Sequence, residues 1–558
     1  MHNIEIPLGQ RTPLYRALEM IPALITIGVP VTAIVLSLVN LNWGAYFVLS
    51  FLALGLFRAF RGGVDSVRGY RRLRTAETVD WARVNEHLEE LILGARAGTV
   101  PEFGRSRLPG IYGPRLDRLR ERVSRGPWLF TLPSETVHAV IVAAYNEPYD
   151  VIAPSLRSLI ASHHGAERLV VVFAHEERGG DAMRETTARL ERDFGRHFRA
   201  FIPVEHPAGL SDEIQGKGGN ISYAGRLLLD WVVAHGLDPE RVLVTSLDCD
   251  NRVDPHYFDA VTFEFVRAED PQRVSFQPIS LFINNIWHAP APTRVIAAGN
   301  SVWNLIATVR PLSLRNFASH TQPLAALAEM GFWSRRTIVE DGHQYWRSYF
   351  HFRGRYGVVP IHLAISQDAV LADTLPKTLR AQFRQLCRWA YGASDVPYVG
   401  VRLFSGHRPA PFFPTAVRFF ALLESHVTLA ILAPMLAFGV WLPVIAAQFI
   451  VPRGIGAFET RRFIEALPDV ATTSQRVALV ALVATVLLTI LLTPERPAGV
   501  RARRWVGMLL QWVLLPITLF CYTSMSAISS QLRLLVGAYR ERFVVTEKAA
   551  AAKSSPTP

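Results

Sequence analysis

The stretch VTSLDCDNRVDP, residues 244–255, decides how this chain is read. An apolar run, RVLVTSL, ends in two aspartates one residue apart. β-favouring apolar residues closed by Asp, Asn and Pro predict a buried strand emptying into a loop. Asp248 and Asp250 then lie at the strand's carboxyl end. In extended backbone, residues i and i+2 project to the same side, so both carboxylates are expected to converge while Cys249 faces away. Such a pair suits a hard divalent cation.

Working outward, 558 residues are too many for one ordinary domain, and 50% apolar content is high for a purely soluble protein. Part of the chain is therefore expected in a membrane. The formal net charge of +12 fits nucleic acid, anionic lipid or phosphorylated substrates. Arginine placement chooses among them. Arg58, Arg61, Arg68, Arg71, Arg72 and Arg74 crowd just after an apolar block, as at the cytoplasmic end of a span. That favours membrane lipids and disfavours nucleic acid. The three cysteines, Cys249, Cys387 and Cys521, form neither a disulfide framework nor a zinc spacing, and the chemistry is expected in the cytosol.

Residues 21–39 are uncharged and long enough for a thin bilayer, and after Asn40-Leu41-Asn42 a second apolar run reaches Phe57. Residues 1–60 therefore read as an N-terminal transmembrane hairpin rather than a cleaved signal peptide. Residues 61–136 form a basic cytosolic linker region with one amphipathic helix near VNEHLEELIL, 84–93. From His138, strand signals (HAVIVAA, RLVVVFA, FRAFIPV, RVLVTSL) alternate with helix signals, the last of these from Ser222. Such alternation predicts a doubly wound, mostly parallel α/β sheet with ligands beyond its carboxyl ends, over residues 137–400. Residues 401–545 are apolar again. Runs at 427–451, 477–493 and 505–528 predict five spans in all, or six if Pro443 closes a hairpin. SSQLRLLVGAYRERF, 529–543, reads as an interfacial helix, and 546–558 as a disordered tail.

Four further stretches fall at strand ends or helix starts. AAYNEP, 143–148, places Asn146 and Glu147 in a polar turn after a strand. QGKGGN, 215–220, sets Lys217 and two glycines just ahead of a helix, where backbone amides and a lysine can seat a diphosphate. As a bare sequence, a Gly-rich loop is more often only a loop. TIVEDGHQYWR, 337–347, carries Glu340 and Asp341, a pair that also suits a solvated helix start. RQLCRW, 384–389, puts Gln385, Arg388 and Trp389 on one helical face, able to bind sugar, hold phosphate and stack on a pyranose, or simply to lie on the membrane. His163 and His164 read as solvated loop residues rather than ligands. HEERGGD, 175–181, fits a solvated turn as well as a ligand contact.

Taken in order, AYNE, KGGN, DCD, VED and QLCRW resemble the motifs of the family-2 glycosyltransferases, in the membrane-embedded branch that includes cellulose, chitin and hyaluronan synthases. The resemblance covers roughly residues 138–399 and implies a GT-A-like fold flanked by transmembrane α-helices. It implies an inverting transfer from a nucleotide-sugar to a glycan or lipid acceptor at the cell membrane. Asp341 would be the general base, supported by Glu340. Asp248 and Asp250 would hold Mg²⁺ or Mn²⁺. Asn146, Glu147, Glu176, Lys217, Asn220, Asp248 and Arg388 would bind the donor, and Gln385 and Trp389 the acceptor. Two departures stand out. FAHEERGG, 173–180, replaces the family's Asp-Asp pair, and FASHTQPLAALAEMGFW, 317–333, replaces its small-residue acceptor stretch. Donor, linkage and any protein partner are not encoded in a legible way.

Overall fold

The computed structural model describes residues 5–9, 11–99, 105–406, 408–450 and 458–539. The expected tail at 546–558, and the amphipathic stretch beyond Tyr539, lie outside these residues. The chain opens with α1 (Pro13–Val39), capped by Thr12, and α2 (Leu41–Glu77), capped by Asn40, whose side chain accepts from the Asn42 and Trp43 amides. Neither cap needs a longer turn, so Leu41 and Asn42 already belong to α2. α2 runs unbroken through the arginine-rich residues 58–74, carrying the apolar hairpin directly into the soluble part.

Where one helix was expected, two form: α3 (Trp81–Arg96) and α4 (Tyr112–Arg125). The α4 signal was present in the sequence, because Tyr112, Leu116, Leu119 and Val123 recur at helical spacing and are all buried. Trp81 Nε1 donates to Ala76 O at 3.0 Å, and its ring meets Tyr112 edge-on at 4.8 Å.

The α/β elements follow as β1 (Val137–Ala144), α5 (Tyr149–Ile160), β2 (Leu169–Glu176), α6 (Gly180–Phe194), β3 (Ala200–His206), α7 (Lys217–Ala234) and β4 (Val242–Asp248). Then come β5 (Arg252–Val253), α8 (Tyr257–Arg267), β6 (Val274–Phe282), α9 (Ala291–Thr308), β7 (His320–Pro323), α10 (Leu324–Glu329), α11 (Glu340–His351), β8 (Gly357–Gln367), α12 (Leu375–Ala390) and α13 (Asp395–Phe404). The sheet order is β3-β2-β1-β4-β7-β6-β8-β5. β3, β2, β1 and β4 are parallel neighbours, β6 and β8 pair in parallel, and β7 and β5 run antiparallel. This is the doubly wound, mostly parallel sheet the alternation predicts.

Alternation within each strand fills both faces. Val140 and Val142 pack with α3, α4, α5 and α8, whereas Ala139 and Ile141 pack with α7, α10, α11 and α13. α8 is held from outside as well: Glu264 is paired by Arg115 of α4 at 2.5 Å, and Asn85 of α3 donates to Asp259 O at 2.9 Å. α3 and α4 thus supply a packed layer on the sheet. The strand order turns at β1, so the crevice beyond β1 and β4 is the expected ligand position.

Beyond the sheet lie α14 (Phe412–Phe438), α15 (Trp441–Ile450), α16 (Phe458–Leu492), α17 (Arg504–Leu510), α18 (Leu515–Ile517) and α19 (Met525–Val536), the last two joined by a π-helical turn. Among the described residues five helices are long and apolar enough to cross a membrane: Pro13–Val39, Leu41–Glu77, Phe412–Phe438, Arg462–Leu492 and Arg504–Val536. The number matches the first expectation, but one position does not. The run at 427–451 is no single span: α14 starts earlier, at Phe412, and stops at Gly439, and α15 is a separate ten-residue helix. Pro443 lies in the first turn of α15, where its missing N–H costs no helical bond.

Because Trp81 is only 1% exposed and joins α3 to α4, Trp81→Ala should cost about 3–5 kcal/mol and lower the melting temperature of the purified protein. An unchanged melting temperature would show that the layer contributes nothing to the fold.

Candidate active site

The carboxyl end of β4 delivers Asp248 level with Ala143 of β1. The chain then turns at once, with Asn251 N donating to Asp248 O at 3.0 Å. Asn251 organises this turn: its Oδ1 accepts from the Asp248 amide at 2.6 Å and from Ser319 Oγ at 2.9 Å. The extended-backbone premise behind the same-side argument does not hold, because the strand ends at Asp248 and Asp250 belongs to the turn. Asp248 faces Lys217, whereas Asp250 Oδ2 accepts from the Asp368 amide at 3.2 Å.

Lys217 is not ahead of its helix but begins it. The expected start at Ser222 is corrected by one turn, since residues 217–220 already form the first turn of α7. Two glycines disfavour such a start by propensity, but packing demands one of them. A Cβ on Gly218 would lie 2.4 Å from Ser334 O and 3.2 Å from Glu340 Cβ. Asn220, 1% exposed, donates to the Ala144 and Ala174 carbonyls at 3.3 and 2.9 Å, tying α7 to the ends of β1 and β2.

The close approach at Gly218 brings the first turn of α11 onto Lys217. The Lys217 ammonium lies 3.0 Å from Asp248 Oδ1, 3.2 Å from Asp341 Oδ2 and 3.9 Å from Glu340 Oε1, and it donates to Ala318 O at 3.0 Å. Burial alone would lower the lysine's pKa, but Asp248, Asp341 and Glu340 together raise it above its ordinary value. Burial raises the Glu340 carboxyl, and Lys217 opposes it. Asp341 is raised well above the usual carboxylate range by burial, against Lys217, with Glu340 and Asp248 pushing further upward.

Arg388 completes the charge set. Burial lowers its pKa, and Glu340, Asp248 and Asp341 draw it back, so it shares their field. Gln385, Arg388 and Trp389 occupy the last turns of α12, where Gln385 Oε1 accepts from Gln382 Nε2 at 3.2 Å and Trp389 lies 5.7 Å from the Phe282 ring. One buried pair joins this helix's continuation to α11: His343 Nδ1 is 2.6 Å from an Asp395 oxygen. Farther along α11, Arg347 bonds Glu5 at 2.5 Å.

Sequence reasoning missed His320. It is fully buried on β7, Trp333 Nε1 donates to its Nε2 at 3.3 Å, and its Nδ1 lies 3.1 Å from Phe317 O and 3.9 Å from Asp341. Burial brings its pKa down to about 4, with the Phe317 carbonyl opposing, so the ring is neutral beside the acids at neutral pH. Its only sequence signal was membership of the unusual 317–333 stretch.

Other anticipated residues stay at the margin. Asn146 is exposed, and Glu147 folds back to accept from the Tyr145 amide at 2.8 Å. Glu176 is engaged by Arg178 Nε at 2.9 Å, and that guanidinium lies over the Tyr145 ring at 4.7 Å. His164 is buried 2.8 Å from Asp259, against the solvated-loop reading, which fits only the exposed His163.

No family model matches the chain, and no curated protein matches it. Among solved structures it is similar to the mannosyltransferase PcManGT from Pyrobaculum calidifontis, solved with GDP-Man and Mn²⁺, at 15% identity and a TM-score of 0.35, covering 72% of this chain and 99% of that one. It is also similar to S. aureus TarS, at 10% identity and 0.31, covering 62% of this chain and 55% of that one. The 1–349 portion of TarS with UDP gives 9% and 0.31, over 62% and 90%.

Lys217→Met leaves buried carboxylates unneutralised and should cost about 3–5 kcal/mol at pH 8. Glu340 and Asp341 have raised folded-state pKa values, so protonation relieves the deficit as pH falls through them. Denaturation of the reconstituted variant at several pH values checks this, and a deficit that grows toward acid would contradict it.

Proposed function

We propose that the protein is a membrane-embedded, inverting, metal-dependent glycosyltransferase. It moves a sugar from a nucleotide-sugar to a polysaccharide or glycolipid acceptor, with processive β-glycan synthesis as the favoured mode. One observation carries the reading: four separate elements, β4, α7, α11 and α12, bring Asp248, Lys217, Glu340 with Asp341, and Arg388 into one charged cluster beyond the β1–β4 crevice.

Asp341 is suited to be the general base. A buried carboxylate with a raised pKa takes a proton from an acceptor hydroxyl more readily than an ordinary one. Glu340 adds negative charge that sustains this, and Lys217 keeps Asp341 ionised and oriented. Arg388 is the group best placed to take the diphosphate's charge. Lys217 is shared between the base and the donor side. Asn146, Glu147 and Glu176 border the strand ends on the nucleotide's side, Asn220 fixes that border, and Gln385 and Trp389 offer an acceptor surface.

Among the described residues no group of three or more His, Cys, Asp or Glu is arranged as a metal site. Asp248 and Asp250 nonetheless supply the two hard oxygen donors that suffice for Mg²⁺ or Mn²⁺ when substrate phosphates fill other positions. Bound there, the cation would neutralise charge developing on the leaving diphosphate. The candidate spans and the Arg58–Arg74 cluster support a multi-pass protein of the cell membrane with this domain in the cytosol.

The test is nucleoside diphosphate release by the nanodisc protein across a panel of sugar nucleotides with Mg²⁺ or Mn²⁺. One donor should support release, and Asp341→Asn should reduce it by about 10²–10⁴-fold. Because an ionised Asp341 is required, the acid limb of kcat/KM should lie above the ordinary carboxylate range. An acid limb within that range, or full release by Asp341→Asn, would remove Asp341 from the role.

A further inference from the structure

Helix α9 is enclosed almost all round. Its residues pack against β6, α2, α16 and the segment around Gln511. A narrow window remains, formed by Gly299 and Trp303, with Asn300 half-buried between them. A Cβ added to Gly299 would meet nothing within 4 Å, so the window opens onto free space. Trp303 is 50% exposed in it. Among the described residues Trp303 is the one large exposed apolar side chain of α9, and leaving it uncovered forfeits burial energy.

The ring is not loose. It lies 4.8 Å from the Phe317 ring, edge to face at 66°. Phe317 is fixed in turn, because its amide donates to the buried Gln277 side chain at 2.8 Å. The next residue, Ala318, gives its carbonyl to Lys217, which contacts Asp341. The loop that braces Trp303 is therefore tied to Asp341 through one backbone carbonyl and Lys217.

Its side of the site matters. The β1–β4 crevice lies on one side of Asp248, and β7 and β6, which carry the Phe317 loop, lie on the other. In a single displacement the acceptor hydroxyl attacks from the face opposite the leaving diphosphate. An acceptor meeting Asp341 from that face comes from the β7–β6 side. Aromatic faces there match the C–H face of a pyranose.

We infer that Trp303, braced by Phe317, is a carbohydrate-stacking platform that holds the acceptor glycan next to Asp341, separate from the Trp389–Phe282 pair. This rests on the transferase reading above. A lipid-facing tryptophan is the competing account, and the packing of its ring on the loop that contacts Lys217 speaks against it.

The experiment measures anisotropy of end-labelled cellohexaose, laminarihexaose and chitohexaose with the full-length protein in nanodiscs. Wild type, Trp303→Phe and Trp303→Leu are compared at matched thermal stability. At least one hexasaccharide should bind wild type, Trp303→Leu should weaken it about tenfold, and Trp303→Phe should stay within about twofold. Equal binding by Leu and Phe variants would reduce the ring to bulk and overturn the proposal, as would binding of none of the three sugars. Brominated-lipid quenching of fluorescence that disappears in Trp303→Leu would place the ring in the bilayer and also overturn it. Nucleotide release separates the two readings. Trp303-dependent binding without release retains the platform and removes the transferase, whereas release with Trp303-independent binding does the reverse.

Discussion

One ammonium group holds the site together. Lys217, buried at the first turn of α7, stands within 4 Å of carboxylates from β4 and from α11. Without that charge, Asp248, Glu340 and Asp341 would repel one another in a poorly solvated space. With it, two elements remote in sequence are drawn to one point, and Gly218 provides the room by lacking a side chain. The arrangement also tunes the acids, because burial raises Asp341 while the lysine limits the rise. An Asp341 carboxyl held above the usual carboxylate range follows from the same contacts that fix its place.

The surroundings make that point rigid. α11 is pinned at His343 by Asp395 and at Arg347 by Glu5, so this helix is tied both to the continuation of the Arg388 helix and to the chain's first described residues. Glu5 carries a lowered pKa although burial opposes it, because Arg347, Ser334 and their neighbours favour its charge. Arg16 of α1 donates to the carbonyls of Leu534 and Leu535 at the end of α19, closing the apolar helices around the same region. The candidate spans and the charged cluster are thus one packed unit at this edge.

Much of this was legible in the residues, and the failures have physical causes. The β4 run was evident because apolar residues stop abruptly at Asp248, and the alternation of strands and helices predicted the sheet. The turn straight after Asp248 was missed because a period-two argument holds only while the backbone stays extended, and Asn251 folds the chain there. The start of α7 was misplaced because glycine propensity is local, whereas the contact of Gly218 with Ser334 is tertiary. The split of 427–451 followed Gly439 and Pro443, both visible, but hydropathy alone does not say which of two breaks a helix uses. Trp303 left no local sign and His320 only its place in the unusual 317–333 stretch, since their contacts come from the β7 and α9 neighbours that topology supplies.

The most direct measurement of the central claim is a cryo-EM structure of the nanodisc protein with Mn²⁺ and the nucleoside diphosphate it binds. The account predicts the diphosphate beyond β1 and β4 in contact with Arg388, the cation against Asp248 and Asp250, and Asp341 still beside Lys217 with its other face open toward Phe317. A diphosphate bound elsewhere, or an Asp341 carboxylate turned away from Lys217 and Phe317, would contradict it.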